Sequence, residues 1–360
     1  MESVIEIFAK RLRQARKRAK LSMDELCDIM SPSVSKQTIS KYEAGKCMPN
    51  GLLMIALAKA LKVDIEYFAR PFDFDIDELN ISFRKKASVS NKELDALKVD
   101  VQDDIERYLE VESLLGIKAT AFEPMTTSTM QSVDDMRRMA KLLRSKWQLG
   151  SNPILNVKEL LENKGVVVIY TKGPEGFDGV SGMVTKGNDL YPVVVVNPKV
   201  EMCERKRLTA LHELGHLLFN EVFSEDLTQK EKENLCNAFA NEMLFPEDVA
   251  RYWFEGKRQI HLPELVHCQK AYGISIDAIV YKLHELGIVN DARFKSFQYL
   301  KNTKPFMKQA VFTSLFKEAD TMRFEAIVYN AIAEGLVTKE RAAVLLKQPI
   351  SDVEYNMETI

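Results

Sequence analysis

Lys206-Arg-Leu-Thr-Ala-Leu-His-Glu-Leu-Gly-His216 is the stretch on which the reading of this chain turns. Within it, His212-Glu213-x-x-His216 sets two imidazoles four residues apart with a carboxylate between them. On an α-helix that offset puts both rings on one face, one turn apart, where two nitrogens reach one Zn²⁺. Glu213 then lies beside the metal, placed to take a proton from water. Leu208, Leu211, Leu214 and Leu218 recur at helical spacing, so the stretch reads as an amphipathic helix. Only five histidines occur in 360 residues, which makes two at this offset informative.

Two histidines do not complete a site, because a catalytic metal needs a third protein ligand and one open position. Glu221, Glu225, Asp226, Glu231, Glu233 and Glu242 all follow closely enough to serve. Thr228-Gln-Lys-Glu231 is a capping box, which gives Glu231 a structural role at the start of a helix reaching about Leu244. Glu233 precedes Asn237 by one turn on the same helix face, a pairing that suits a ligand carboxylate and an amide that braces a histidine. Glu233 is the preferred third ligand, and manganese or iron can occupy such a set as well as zinc.

Around this stretch the pattern is mixed. Helices are predicted over Val133–Trp147 and Val157–Asn163, and short strands at Gly165–Tyr170, Ser181–Val184 and Tyr191–Asn197. Helices around a small sheet make an α+β arrangement. The apolar stretches are too short to span a bilayer, and the first residues hold no signal-peptide core, so a cytoplasmic location without membrane contact is expected. The five cysteines are scattered and form no CxxC pair, and read as reduced thiols.

Charge divides the chain unevenly. Residues 1–70 carry 13 Lys/Arg against 8 Asp/Glu, and the remainder 37 against 44, which points to an anionic partner for the first segment alone. That segment reads as four short helices: a basic amphipathic one within 5–19, one opened by the capping box Ser22-Met-Asp-Glu25, one over Lys36–Ala44 capped by Ser35, and one capped by Asn50. The last is expected to carry its apolar series through Ile55 and Leu61 into Ile65 and Phe68. Short helices on short turns describe a helix-turn-helix bundle.

Leu21-Ser-Met-Asp-Glu-Leu26, Val34-Ser-Lys-Gln-Thr-Ile-Ser-Lys-Tyr-Glu-Ala-Gly-Lys46, Pro49 and Leu57-Ala-Lys-Ala-Leu61 make this segment resemble the Cro/CI-type (Xre-like) helix-turn-helix family. Ser31-Pro-Ser33 departs from the family by lengthening the turn before the recognition helix. The resemblance implies that Lys36, Gln37, Thr38 and Lys41 project from the recognition helix, with Gln37 suited to pair with adenine. Ser35, Lys46 and the Arg16–Lys20 cluster are expected at phosphates, on an operator of double-stranded DNA read by a homodimer.

A second resemblance covers residues 132–250. It rests on Gly150-Ser-Asn-Pro-Ile154, Leu160-Leu-Glu-Asn-Lys-Gly165, Gly179-Val-Ser-Gly182, Val195-Val-Asn197, the His212 stretch, and Glu233-x-x-Cys-Asn-x-Phe-Ala240 followed by Leu244-Phe-Pro246. In these motifs the chain is similar to the ImmA/IrrE family of zinc metallopeptidases. The resemblance implies His212, His216 and Glu233 as zinc ligands and Glu213 as general base. Cys236 stands where the family usually has alanine, a small-for-small change expected to leave the site undisturbed.

The expected architecture is an all-α helix-turn-helix bundle (1–70), a helical linker (71–131) with its long helix over Asn91–Leu115, an α+β zincin-like, gluzincin-like metallopeptidase domain (132–255) and a helical C-terminal extension (256–360). His284-Glu-Leu-Gly copies the start of the metal motif, yet position 288 is isoleucine, so it is a decoy. The implied function is transcriptional regulation through zinc-dependent cleavage of a repressor or antitoxin-like protein, or of the linker of the chain itself. The alternative is a DNA-binding repressor or antitoxin whose peptidase-like domain is a non-catalytic sensor or interaction platform.

Overall fold

The computed structural model describes residues 3–71, 90–118, 125, 128–187 and 189–358. Much of the expected linker, 72–89, 119–124 and 126–127, therefore lies outside the described residues.

The chain opens with α1 (Val4–Arg18), α2 (Met23–Ile29), α3 (Lys36–Glu43) and α4 (Gly51–Leu61). Ser3, Ser22, Ser35 and Asn50 each accept a backbone N–H at the helix start, a contact typically contributing about 1 kcal/mol. Phe8, Leu12, Leu26, Ile39, Leu57 and Phe68 fill the centre of this bundle. Ile55 and Ile65 do not join it and are 41% and 50% exposed. Lys62 ends α4 in the left-handed conformation and a 3-10 turn follows over Ile65–Ala69, so the helical period does not carry from Leu61 to Ile65; Ile55 lies within α4, on its outer face.

A long helix, α5 (Asn91–Leu114), comes next. It was expected to be a linker, but it forms a layer of the fold. Leu97, Val101, Ile105 and Leu109 pack on Val167, Ile169, Val193 and Val195 of the sheet. Its acidic side meets α1: Arg11 Nη2 lies 2.8 Å from Glu106, Lys17 Nζ 3.3 Å from Asp95 and Arg18 Nε 2.8 Å from Asp100. The positive charge of the first segment is thus largely answered within the chain.

After α6 (Val133–Lys146) and α7 (Val157–Asn163) come β1 (Val167–Tyr170), β2 (Gly179–Lys186) and β3 (Asp189–Val196). The strand order is β1-β3-β2, with β1 parallel to β3 and β2 antiparallel to it. Alternate residues face opposite ways along a strand, so Val168, Val194 and Val196 enter one core while Val167, Ile169, Val193 and Val195 meet α5. Covered on both sides, β3 reads as an unbroken valine run. β2 extends beyond the expected Ser181–Val184, because its hairpin pairing with β3 runs from Gly179 opposite Val196 to Lys186 opposite Asp189.

The remaining helices are α8 (Cys203–Phe219), α9 (Gln229–Leu244), α10 (Glu247–Phe254), α11 (Leu262–Tyr272), α12 (Ile276–Glu285), α13 (Asp291–Thr303), α14 (Pro305–Phe312), α15 (Arg323–Ala333), α16 (Lys339–Leu346) and α17 (Ile350–Asn356). One apolar core runs from Met130 through Leu214, Phe239, Ile279 and Val311, so packing marks no division at residue 255. The last three helices close over Val111 of α5 in a smaller cluster of their own. The architecture is therefore a helical N-terminal bundle, a mixed α/β region with a three-stranded sheet, and a helical C-terminal part. No described helix is long and apolar enough to cross a membrane.

Candidate metal centre and nucleic-acid face

His212 and His216 stand one turn apart on α8, their ring centroids 4.7 Å apart and the rings nearly perpendicular. Their Nε2 atoms are separated by 3.0 Å. From α9, Glu233 brings Oε2 to 3.1 Å from His212 Nε2 and Oε1 to 3.5 Å from His216 Nε2. All three ligand atoms lie within 4.8 Å of one another. Among the described residues, none of the other five acids considered from the sequence joins this group. Glu231 closes the capping box on Thr228, and Glu242 is buried against Lys282.

The far sides of the imidazoles show what the near sides are prepared for. Asn237 Oδ1 lies 2.8 Å from His212 Nδ1, and Asn220 Oδ1 lies 3.3 Å from His216 Nδ1. An amide oxygen only accepts, so with Nδ1 as the donor in each ring, the tautomer these contacts favour, each Nε2 presents a lone pair inward. Two lone pairs and a carboxylate converging on one point repel unless a cation sits among them. The donor set therefore fits a two-histidine, one-carboxylate metal site. Cys236 is closer to this chemistry than a small-for-small replacement implied, since its Sγ lies 3.2 Å from His216 Nδ1.

Glu213 is buried, and Ser181 of β2 donates a hydrogen bond to its Oε2 at 2.7 Å. β2 can lie this close to α8 because residue 179 has no side chain. A Cβ there would fall 2.6 Å from Thr209 Cγ2, 2.9 Å from the Val195 carbonyl oxygen and 3.4 Å from Glu213 Cγ. At Gly215, likewise, a Cβ would come within 3.3 Å of Phe239, so a small residue lets α9 approach the metal helix. Above the histidines is a cleft of about 450 Å³, walled by Gly179–Ser181 on one side and by α8 and Glu233 on the other.

Ser181 and Asn220 were not singled out in the sequence. Asn220 carries a signal, lying four residues after His216 and so on the same helix face. Ser181 contacts a residue 32 positions away, and no local spacing discloses that.

The decoy reading of His284 agrees with its surroundings, as Nε2 pairs with Asp291 at 2.8 Å and the ring stacks on Phe294. His267 packs on the Trp253 ring, with centroids 5.0 Å apart.

At the other end of the chain, Gln37, Lys41 and Lys46 are exposed on and just after α3. Lys36 is exposed too and pairs with Asp24 at 2.6 Å. Ser35 and Thr38 are partly used in capping α3, through Thr38 N to Ser35 Oγ at 3.2 Å and a hydroxyl contact at 2.9 Å. Arg16 is engaged within the bundle. Its Nε and Nη2 donate to Glu43 at 2.6 and 2.8 Å and its Nη1 to the Leu21 carbonyl at 2.8 Å, so the phosphate role expected for it is replaced by a clamp between α1 and α3. The sequence shows the charge of Arg16 but not the acid 27 residues away that consumes it.

Comparison with known families agrees with both resemblances. Residues 12–68 match the helix-turn-helix family model, and residues 161–284 match that of the IrrE N-terminal-like domain, a peptidase family. The chain thus joins a Cro/CI-type DNA-binding module to an ImmA/IrrE-like peptidase module. The second match runs to the end of α12, past the limit of 250 drawn from the motifs. No curated protein matches the chain.

Proposed function

We propose that the chain is a DNA-binding regulator with a zinc-dependent endopeptidase, in which His212, His216 and Glu233 hold the metal and Glu213 is the general base. The observation that carries this reading is the convergence of two Nε2 lone pairs and a carboxylate beside a second, separately held carboxylate. When bound, the metal supplies Lewis acidity to water and to the peptide carbonyl.

The chain's own groups account for the rest. Asn237 and Asn220 fix the imidazole tautomers. Ser181 holds one oxygen of Glu213, leaving the other to accept a proton from the attacking water. That proton then passes to the amine nitrogen as the C–N bond breaks, so Glu213 ends the cycle as it began. β2 is the edge of the sheet beside α8, and an extended peptide added to it as a further strand would cross the cleft above the histidines. The implied substrate is a repressor or antitoxin-like protein, met at or near double-stranded operator DNA held by α3.

The test is incubation of the zinc-loaded protein and its Glu213→Gln variant with repressor-like proteins encoded beside it. Specific fragments with the wild type alone, abolished by a chelator, are expected. A protein that binds no metal and regulates equally well as Glu213→Gln is the non-catalytic platform instead. For the DNA module, operator binding unchanged in Gln37→Ala/Lys41→Ala would remove α3 as the reading helix.

A further inference from the structure

A second cavity of about 670 Å³ opens beside the metal cleft, between α8, α9, α12 and α14. The two adjoin, and Arg205, Leu208 and Asn237 line both. Asn237 is also the residue that braces His212. A chain lying across the histidines therefore passes beside this cavity, on the side of Asn237.

The walls define what fits. Leu208, Ala238, Ala278 and Val311 supply apolar surface, and the rings of Tyr281 and Phe312 stand at the opening, 55% and 58% exposed. Isolated exposed rings are ordinary, but two on the rim of a cavity with apolar walls offer contact area to an incoming side chain. The charged groups on the walls are answered within the fold. Arg205 Nη2 bonds Asp178 at 2.7 Å, Asp277 pairs with Lys301 at 2.7 Å, and Glu285 pairs with Arg137 at 3.1 Å. Asn241 turns its Nδ2 to the Ala278 carbonyl at 3.1 Å and keeps a buried Oδ1 without a partner among the described residues, an acceptor but not a charge. An entering charged side chain would find its opposites taken and would lose hydration without recompense. A bulky apolar one loses nothing and buries area.

We infer that this cavity is the specificity pocket of the peptidase and takes a large apolar side chain, leucine, methionine or phenylalanine, from a residue flanking the scissile bond. The inference rests on the peptidase reading of the cleft. Val311 and Phe312 lie beyond residue 284, where the family match ends, so selectivity at this wall belongs to the C-terminal part of this chain and not to the shared module.

The test uses the full-length, zinc-loaded protein and a mixture of randomised dodecapeptides, with cleavage sites read by mass spectrometry. Two variants are compared after circular dichroism has verified their fold: Ala278→Trp, which fills the cavity, and Phe312→Ser, which strips one wall. The wild type is expected to prefer a bulky apolar residue over alanine at one position beside the cut. That preference should fall about tenfold or more in both variants, the scale by which apolar pockets discriminate, while peptides carrying alanine there are still cut. An unchanged preference in both variants, with cleavage still lost in Glu213→Gln, overturns the pocket and leaves the peptidase reading standing. If the wild type cuts nothing, binding of fluorescein-labelled decapeptides carrying a single central leucine, phenylalanine or alanine decides. Binding about tenfold tighter for leucine or phenylalanine than for alanine, abolished by Ala278→Trp, keeps the pocket and removes the peptidase. Equal binding of all three peptides overturns both.

Discussion

Replacing Asp103 by asparagine tests whether the DNA-binding bundle is held to the rest of the chain by charge. The Asp103 carboxylate is 6% exposed and faces three cations from three parts of the molecule. Arg70, at the end of the bundle, lies 3.1 Å away, Arg107 of α5 3.5 Å, and Lys347, just after α16, 3.1 Å. Burial by itself would raise its pKa, but Lys347, Arg107 and Arg70 outweigh it and bring the value from 3.8 to about 2. The folded pKa lies below the unfolded one, so the ionised group stabilises the fold above the unfolded value, and this contribution is lost as pH falls through the folded value. A depression of that size is worth about 2–3 kcal/mol at neutral pH and roughly half of that at pH 3. Urea unfolding followed by circular dichroism should therefore find Asp103→Asn about 2–3 kcal/mol less stable at pH 7, the gap between variant and wild type narrowing to roughly half by pH 3. A gap below about 1 kcal/mol at pH 7, the level of an exposed ion pair, or one that does not change with pH, would refute the reasoning.

Other consequences are as direct. Lys282→Met leaves the Glu242 carboxylate in the core without its counter-ion and should cost about 3–5 kcal/mol in chemical denaturation, with Glu242→Gln in the same chain restoring most of it. Arg16→Met removes two hydrogen bonds that join α1 to α3 and a third to the Leu21 carbonyl before α2. It should lower the stability of the bundle by about 2–3 kcal/mol without changing which operator sequences are preferred in a binding selection. Ser181→Ala frees one oxygen of Glu213, and it should depress kcat more than KM while zinc content measured by atomic absorption stays at the wild-type level. With Lys36, Lys41 and Lys46 as the exposed cations on and beside α3, the slope of log K against log salt should be no steeper than about −3 per bound protomer.

What was legible in the sequence was what repeats locally. The capping boxes at Ser22 and Thr228 form as their spacing requires, and the helix bearing His212 and His216 follows from four leucines and one offset. Glu233 was identifiable beside Asn237 because both lie on one face of one helix, and the two indeed meet the same histidine. The misses have one physical character. Arg16 meets Glu43, Ser181 meets Glu213 and α5 meets the valines of β1 and β3, each across a distance in sequence that no helical or strand period spans. An arginine that clamps and an arginine that reads DNA have the same letter, and only the position of the acid tells them apart.

The role of α5 follows from its having two incompatible surfaces. Its apolar side covers the face of the sheet opposite the metal helix, and its acidic side binds α1. A helix that merely spanned two domains would be polar all round; this one would expose Leu97, Val101 and Ile105 if it left the sheet, and would strand Arg11, 1% exposed, if it left the bundle. The cations of α1 are therefore spent on orientation. They fix the bundle with Gln37 and Lys41 exposed; on the function proposed above, sequence reading would fall to α3 and placement of the peptidase relative to DNA to α5. Loosening the α1 to α5 contacts should then leave both operator binding and peptide cleavage intact as separate activities, and impair only the cleavage of a substrate that is itself bound to the same DNA.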